Sequence, residues 1–147
     1  MEFLSKVKIK LLNSEAKIPA KATPNSSGFD LFSTEELIIE KHKFKLISTG
    51  ISIEMERGVE AQVRSRSGLA IKHGIAVLNS PGTIDCDYRG EVKVVLINHS
   101  DCDFTIEKGM RIAQMVFSKV VDADFQVVSE LSDTQRGEGG FGSTGFK

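Results

Sequence analysis

Phe44-Lys45-Leu46-Ile47-Ser48-Thr49-Gly50-Ile51-Ser52-Ile53-Glu54-Met55-Glu56-Arg57-Gly58-Val59-Glu60-Ala61-Gln62-Val63 holds short apolar runs at 44–47, 51–55 and 59–63, cut apart by Gly, Ser, Lys or Glu. Runs of this length and spacing are typical of a β-sandwich or barrel. Upstream, 29–32 and 37–39 continue the pattern, and Val7, Ile9 and Leu11 alternate with Lys8 and Lys10 as in a half-buried strand. Between them, 13–27 loses apolar content, holds Pro19 and Pro24, and reads as a loop. Downstream, further runs stand at 74–78, 92–97, 104–106, 112–117 and 125–128. Only 67–73 invites a helical turn, because Gly68-Leu69-Ala70-Ile71 lacks strand alternation. No internal repeat is visible. The expectation is an all-β fold with one short helix.

At 147 residues, 40% hydrophobic and 27% charged, the chain has the size and composition of one globular domain. A formal net charge of −1 gives no general pull toward nucleic acid or an anionic membrane, so any anion site must be a local basic cluster. Cys86 and Cys102 belong to no C-x-x-C pair, and His42, His73 and His99 complete no zinc-ligand spacing. Two cysteines make no disulfide framework, which fits a reducing cytosol. Lysines interrupt the N-terminal stretch where a signal peptide needs an apolar core, and no run reaches transmembrane length. A soluble, cytoplasmic protein is expected.

Three stretches carry chemistry. Thr83-Ile84-Asp85-Cys86-Asp87-Tyr88-Arg89-Gly90 reads as a tight turn that packs two carboxylates, the only tyrosine and a guanidinium, with Pro81-Gly82 before it. Ordinary hairpin-turn chemistry would account for it equally well. Arg64-Ser65-Arg66-Ser67-Gly68-Leu69-Ala70 sets two arginines and two serines before a helix start, where N–H donors and the helix dipole favour an anion. After Leu131 the chain turns glycine-rich, five of the nine residues 137–145 being glycine. Such a segment is expected to be mobile when nothing is bound, which makes 1–131 a β domain and 132–147 a flexible arm. Arg136, Phe141 and the Ser143-Thr144 pair set it apart from a generic tail, and its glycines let backbone N–H groups approach an anion. Beside an anionic substrate, Asp85 suits the holding of a metal-bound water or the removal of its proton. A turn-stabilising acceptor is the alternative.

Five stretches in order resemble the motifs of the trimeric deoxyuridine triphosphatase (dUTP diphosphatase) family. Ser27-Gly28-Phe29-Asp30-Leu31 resembles A-G-x-D-L, and Arg66-Ser67-Gly68-Leu69-Ala70 resembles P-R-S-G-L. The stretch 82–90 is similar to the third motif, Arg111-Ile112-Ala113-Gln114 to the fourth and 136–145 to the fifth. The resemblance implies a distorted jelly-roll or β-barrel subunit in a homotrimer, with active sites between subunits. It implies hydrolysis of dUTP to dUMP and diphosphate, keeping uracil out of DNA and supplying dUMP for thymidylate synthesis. Mg²⁺ would be held by phosphate oxygens rather than by side chains, with Asp30 in the water network near the metal or in a subunit contact. By the same resemblance, Asp85 deprotonates the water attacking the α-phosphorus, and the Tyr88 ring lies under the deoxyribose and excludes a 2′-hydroxyl. Backbone from Thr83 through Ile84 to Asp85 and around Lys93, with the Asn79 side chain, reads the uracil edge. Ser67 donates to the breaking phosphate bridge beside Arg66 and Gly68, and Gln114 binds phosphate. In the arm, Phe141 stacks on uracil while Arg136, Ser143 and Thr144, with Gly142 between them and the ring, hold the β- and γ-phosphates.

Three positions depart from the family pattern. Ser65 replaces the usual proline and is expected to loosen its loop, Met110 replaces an acidic residue and costs a salt bridge to Arg111, and Ser27 replaces alanine. Two other readings share the pocket. A dCTP deaminase needs a glutamate on the strand after the turn, where this chain has Val95. A non-catalytic dUTP-binding regulator would be expected to have lost Asp85 or the arm, and both are present.

Overall fold

The computed structural model describes residues 5–145. Eleven strands and one helix lie among the described residues: β1 (Lys8–Leu11), β2 (Phe29–Phe32), β3 (Leu37–Ile39), β4 (Phe44–Ser48), β5 (Ile51–Glu54), β6 (Val59–Arg64), α1 (Ser67–His73), β7 (Ile75–Val77), β8 (Gly82–Ile84), β9 (Lys93–Asn98), β10 (Phe104–Ile106) and β11 (Arg111–Lys119). All pairings are antiparallel. They form a four-stranded sheet β2-β11-β6-β8, a three-stranded sheet β4-β9-β7 and the pairs β1-β5 and β10-β3. The period-2 residues face inward: Ile51 and Ile53 on β5, Ala61 and Val63 on β6, Val94 and Leu96 on β9, and Ala113 and Met115 on β11 are all buried. Leu31, Ile39, Ile47 and Ile106 belong to the same core. Each Val, Leu, Ile or Met among them contributes roughly 1.5–3 kcal/mol by leaving water.

The expected helix spans the expected residues. It ends at Gly74, whose φ of 65° is the left-handed conformation that lets its N–H close back on Ala70 and Leu69. Three expectations need correction. The alternating β1 stretch forms a strand, but no half-buried face: Ile9 is 36% and Leu11 47% exposed, because β1 pairs only with β5. The run at 125–128 forms no strand, since no edge of the described chain accepts it. Gly82–Ile84, read as part of a turn, is β8 and pairs with Val63, Gln62 and Ala61 of β6.

A register shift between Arg111 and Ala113 bulges β11 against β2. The extra residue lets Ile112 and Ala113 both enter the core and swings Arg111 onto the outward face. At the far end of the three-stranded sheet, fully buried Asn98 joins the end of β3 to the loop between β9 and β10. Its Nδ2 donates to the carbonyls of Ile39 and Cys102, and its Oδ1 accepts from the backbone N–H and hydroxyl of Ser100. Asn98→Ala is expected to cost about 2–4 kcal/mol, because it strands buried polar groups rather than merely removing bonds; urea unfolding measures it.

Candidate active site

The predicted phosphate residues gather at the Arg64 end of β6. Register places Asp30 of β2 opposite Gln114 of β11, and Gln114 opposite Arg64. The Asp30 carboxylate, largely buried, takes Arg66 Nε at 3.2 Å on one oxygen and Arg111 Nη1 at 3.6 Å on the other. Arg66 also donates to the Arg111 carbonyl at 3.3 Å. Ser65, next to Arg66, accepts a bond from Gln114 Nε2 on its carbonyl (3.0 Å) and from the Val77 N–H on its hydroxyl (2.9 Å). Ser67 and Gly68 open α1 exposed to solvent, and no side chain caps the N–H groups of that first turn. Two guanidinium groups sharing one carboxylate keep a net positive charge, as an anion site on a chain of net charge −1 requires.

The turn after β8 forms a second cluster. The Tyr88 N–H donates to the Asp85 carbonyl at 3.1 Å, and Arg89 Nη1 donates to the carbonyls of Cys86 (2.7 Å) and Tyr88 (3.2 Å). Arg89 therefore closes the turn. The Asp85 side chain does not: among the described residues its exposed carboxylate has no hydrogen-bond or ion-pair partner. The Tyr88 hydroxyl donates to the Glu91 carbonyl at 2.9 Å and lies over Gly90, where a methyl group would come 2.4 Å from it. The half-exposed ring is thus held at its hydroxyl end. Asn79 lies beside Gly82, and Lys93 begins β9 exposed, opposite Ser48. Arg89 also reaches Glu54 electrostatically. The Glu54 carboxyl is held below its ordinary range chiefly by the hydrogen bond from Lys8 and that lysine's charge.

These two clusters do not meet. Ile84 pairs with Ala61, so Asp85 leaves β8 at the Glu60 end of β6, whereas Ser65–Ser67 follow its Arg64 end. Four residues at about 3.3 Å each put roughly 13 Å between those ends. The tail forms a third group apart from both. Its hydrogen bonds are internal, Arg136 Nε donating to the Gly139 carbonyl at 2.7 Å, and Phe141 stands fully exposed at a φ of 50°.

Two expectations about the departures change. Arg111 does not lack a salt bridge, since Asp30 supplies it across the sheet. Ser65 does not loosen its loop, since its hydroxyl ties the loop to β7. Neither partner is visible in the sequence, because each contact joins residues far apart along the chain.

Comparison with known proteins defines the class: proteins of this jelly-roll fold that match nearly the whole chain are hydrolases of a nucleoside triphosphate. The family model described as dUTPase matches residues 14–145. The chain belongs to the dUTPase family. It is 61% identical over 140 residues to the deoxyuridine 5'-triphosphate nucleotidohydrolase of Nautilia profundicola, covering 95% of this chain and 99% of that one. It is 57% identical over 139 residues to that of Clostridium tetani, covering 95% and 96%. The structure of Staphylococcus bacteriophage 80alpha dUTPase with dUPNHPP superposes with a TM-score of 0.90 at 27% identity, covering 96% of this chain and 99% of that one. No helix among the described residues is long and apolar enough to cross a membrane.

Removing Asp30 leaves two arginines facing each other without their carboxylate. Because Arg66 is mostly buried and Arg111 half exposed, Asp30→Ala is expected to destabilise the fold by about 2–3 kcal/mol in chemical denaturation.

Proposed function

We propose that dUTP carrying Mg²⁺ on its phosphates is hydrolysed by a water held and deprotonated by Asp85, at sites completed between subunits of a homotrimer. The observation that carries the reading is the free carboxylate of Asp85. Arg89 and Tyr88 of this turn are spent on its own backbone, the carboxylates of Asp85 and Asp87 are left for solvent, and of the two Asp85 directly follows β8. A carboxylate of ordinary basicity suffices as general base when the water is fixed in line with the phosphorus. The Tyr88 ring is braced by the Glu91 carbonyl over Gly90, and would offer a flat wall for the deoxyribose that excludes a 2′-hydroxyl. Backbone from Thr83 to Asp85, with Asn79 and Lys93, would read the uracil edge. Ser67, Gly68, Arg66 and Gln114 would bind the phosphates.

Separation of the two clusters along β6 supports a shared site: the base turn of one copy would face the phosphate cluster of another. Two further features favour assembly. The segment from Val120 to Leu131 leaves the sheets with Val121, Phe125, Val127 and Leu131 almost wholly exposed. A groove of about 640 Å³, lined by Val7, Ile9, Phe29, Ile53 and Phe117, lies open beside β1. A homotrimer would cover such surfaces and let the arm, with Arg136, Phe141, Gly142, Ser143 and Thr144, close over a site of the assembly and exclude water.

Magnesium enters with the substrate. A dUTPase from phage phi11 of S. aureus has been solved with a structural Mg(II) ion, at a likeness that speaks only for the shared fold. Among the described residues no three His, Cys, Asp or Glu side chains converge, and both Asp30 oxygens are engaged by arginines. The residues present suit an ion bound by phosphate oxygens, where it neutralises charge on the diphosphate leaving group.

With Mg²⁺, diphosphate release from dUTP is expected to exceed that from dCTP, dTTP or UTP by orders of magnitude. Comparable rates on all four would remove the assigned roles of Tyr88 and the uracil-reading backbone. Asp85→Asn is expected to lower kcat by about 10²–10⁴-fold while a non-hydrolysable dUTP analogue still binds in calorimetry; near-normal turnover rules Asp85 out as the base.

A further inference from the structure

Gly28 is buried at the entrance to β2, and the Gln114 carboxamide lies directly over it. A methyl group on Gly28 would come 2.2 Å from Gln114 Oε1, 3.0 Å from Cδ and 3.1 Å from Cβ. Gly28 is not among the residues with positive φ, so the position demands space rather than conformational freedom. On its other side the carboxamide is fixed by the Nε2 bond to the Ser65 carbonyl. The loop bearing that carbonyl is pinned to β7 through the Ser65 hydroxyl and the Val77 N–H. A carboxamide nitrogen carries two hydrogens. Ser65 takes one, and the second is left pointing away from it on the half-buried face that also bears Asp30 and Arg66.

We propose that Gly28 and Ser65 are positioning residues that aim this second Nε2 hydrogen of Gln114 at a phosphate oxygen of the bound triphosphate. The inference rests on the reading of Gln114 as a phosphate-binding amide and adds what orients it. Gly28 leaves the carboxamide the only space in which it lies flat against the sheet, and Ser65 holds the first hydrogen. Ser65 also explains how this chain dispenses with proline in its second motif. A proline carbonyl could accept the same bond, but only the serine hydroxyl anchors the loop to Val77. The device fixes one rotamer before substrate arrives, so its benefit falls on binding in ground and transition states alike and on KM rather than kcat.

The test is a double-mutant cycle on the full-length enzyme. It reads kcat and KM for dUTP and, by calorimetry, Kd for a non-hydrolysable dUTP analogue in the wild type, Gly28→Ala, Gln114→Ala and the double variant. Gln114→Ala is expected to raise KM and Kd by about tenfold, the typical loss for a hydrogen bond to a charged group. Gly28→Ala is expected to raise both by a similar factor, and to add little once Gln114 is alanine, whose Cβ is the one close contact left. A Gly28→Ala effect that persists in full in the Gln114→Ala background, or wild-type affinity in Gly28→Ala, overturns the positioning role while leaving Gln114 as a phosphate ligand. Wild-type affinity in Gln114→Ala overturns that reading itself. Should Gly28→Ala fail to fold, Ser65→Ala carries the test: it keeps the carbonyl and cuts the anchor, so KM is expected to rise about threefold with kcat held. An unchanged KM there overturns the proposal.

Discussion

Strand β6 has no free edge. β11 runs along one side of it from Val59 to Arg64, and β8 lies along the other from Ala61 to Val63. Slipping β11 by one residue would turn Met115 outward and bring Gln114 into the core, and slipping β8 would turn Ile84 outward and bring Thr83 in, so the buried face holds the register. That register in turn decides which functional residues meet. It sets Gln114 beside Arg64 and Asp30, and it sends the turn bearing Asp85 toward the opposite end of the strand. The separation between the proposed base and the proposed phosphate residues is thus a consequence of strand pairing, which the proposed assembly of copies would answer.

At the phosphate end, order comes from electrostatics laid over that register. Asp30 is too buried to be tolerated without cations, and the bulge at Ile112 turns Arg111 to meet it from β11 while Arg66 meets it from the loop after β6. One carboxylate for two guanidinium groups fixes their positions without cancelling their charge. At the other end, the turn spends two side chains on its own backbone. Arg89 satisfies carbonyls, Tyr88 is braced on Glu91, and the Asp85 and Asp87 carboxylates remain unengaged. Both ends expose their free groups on rigid elements, the arrangement that positioning catalysis needs.

Much of this was legible in the chain. Short apolar runs with polar separators marked β2 to β7 and β9 to β11, because alternation and strand length are local properties. Gly68-Leu69-Ala70-Ile71 marked the helix for the same reason. What escaped was non-local. The 125–128 run has strand composition but no edge to pair with, and Gly82–Ile84 looks like turn chemistry yet finds an edge in β6. Ile9 and Leu11 alternate as buried residues do, but the described residues leave them 36% and 47% exposed. Ser65 looked like a weakened motif, and its compensating hydroxyl bond reaches a residue on another strand.

By itself, then, the sequence determined the all-β class, the dUTPase family and the list of groups able to carry the chemistry, since residue types at fixed short spacings are written directly in the chain. Only the tertiary structure decided how those groups are grouped. Asp30 became the partner of two arginines, Gly28 became the space under an amide, and Arg89 became a brace for its own turn. The physical reason is that hydrogen-bond partnership and steric room are set by strand register and burial, and these join positions far apart in the chain that no local pattern relates.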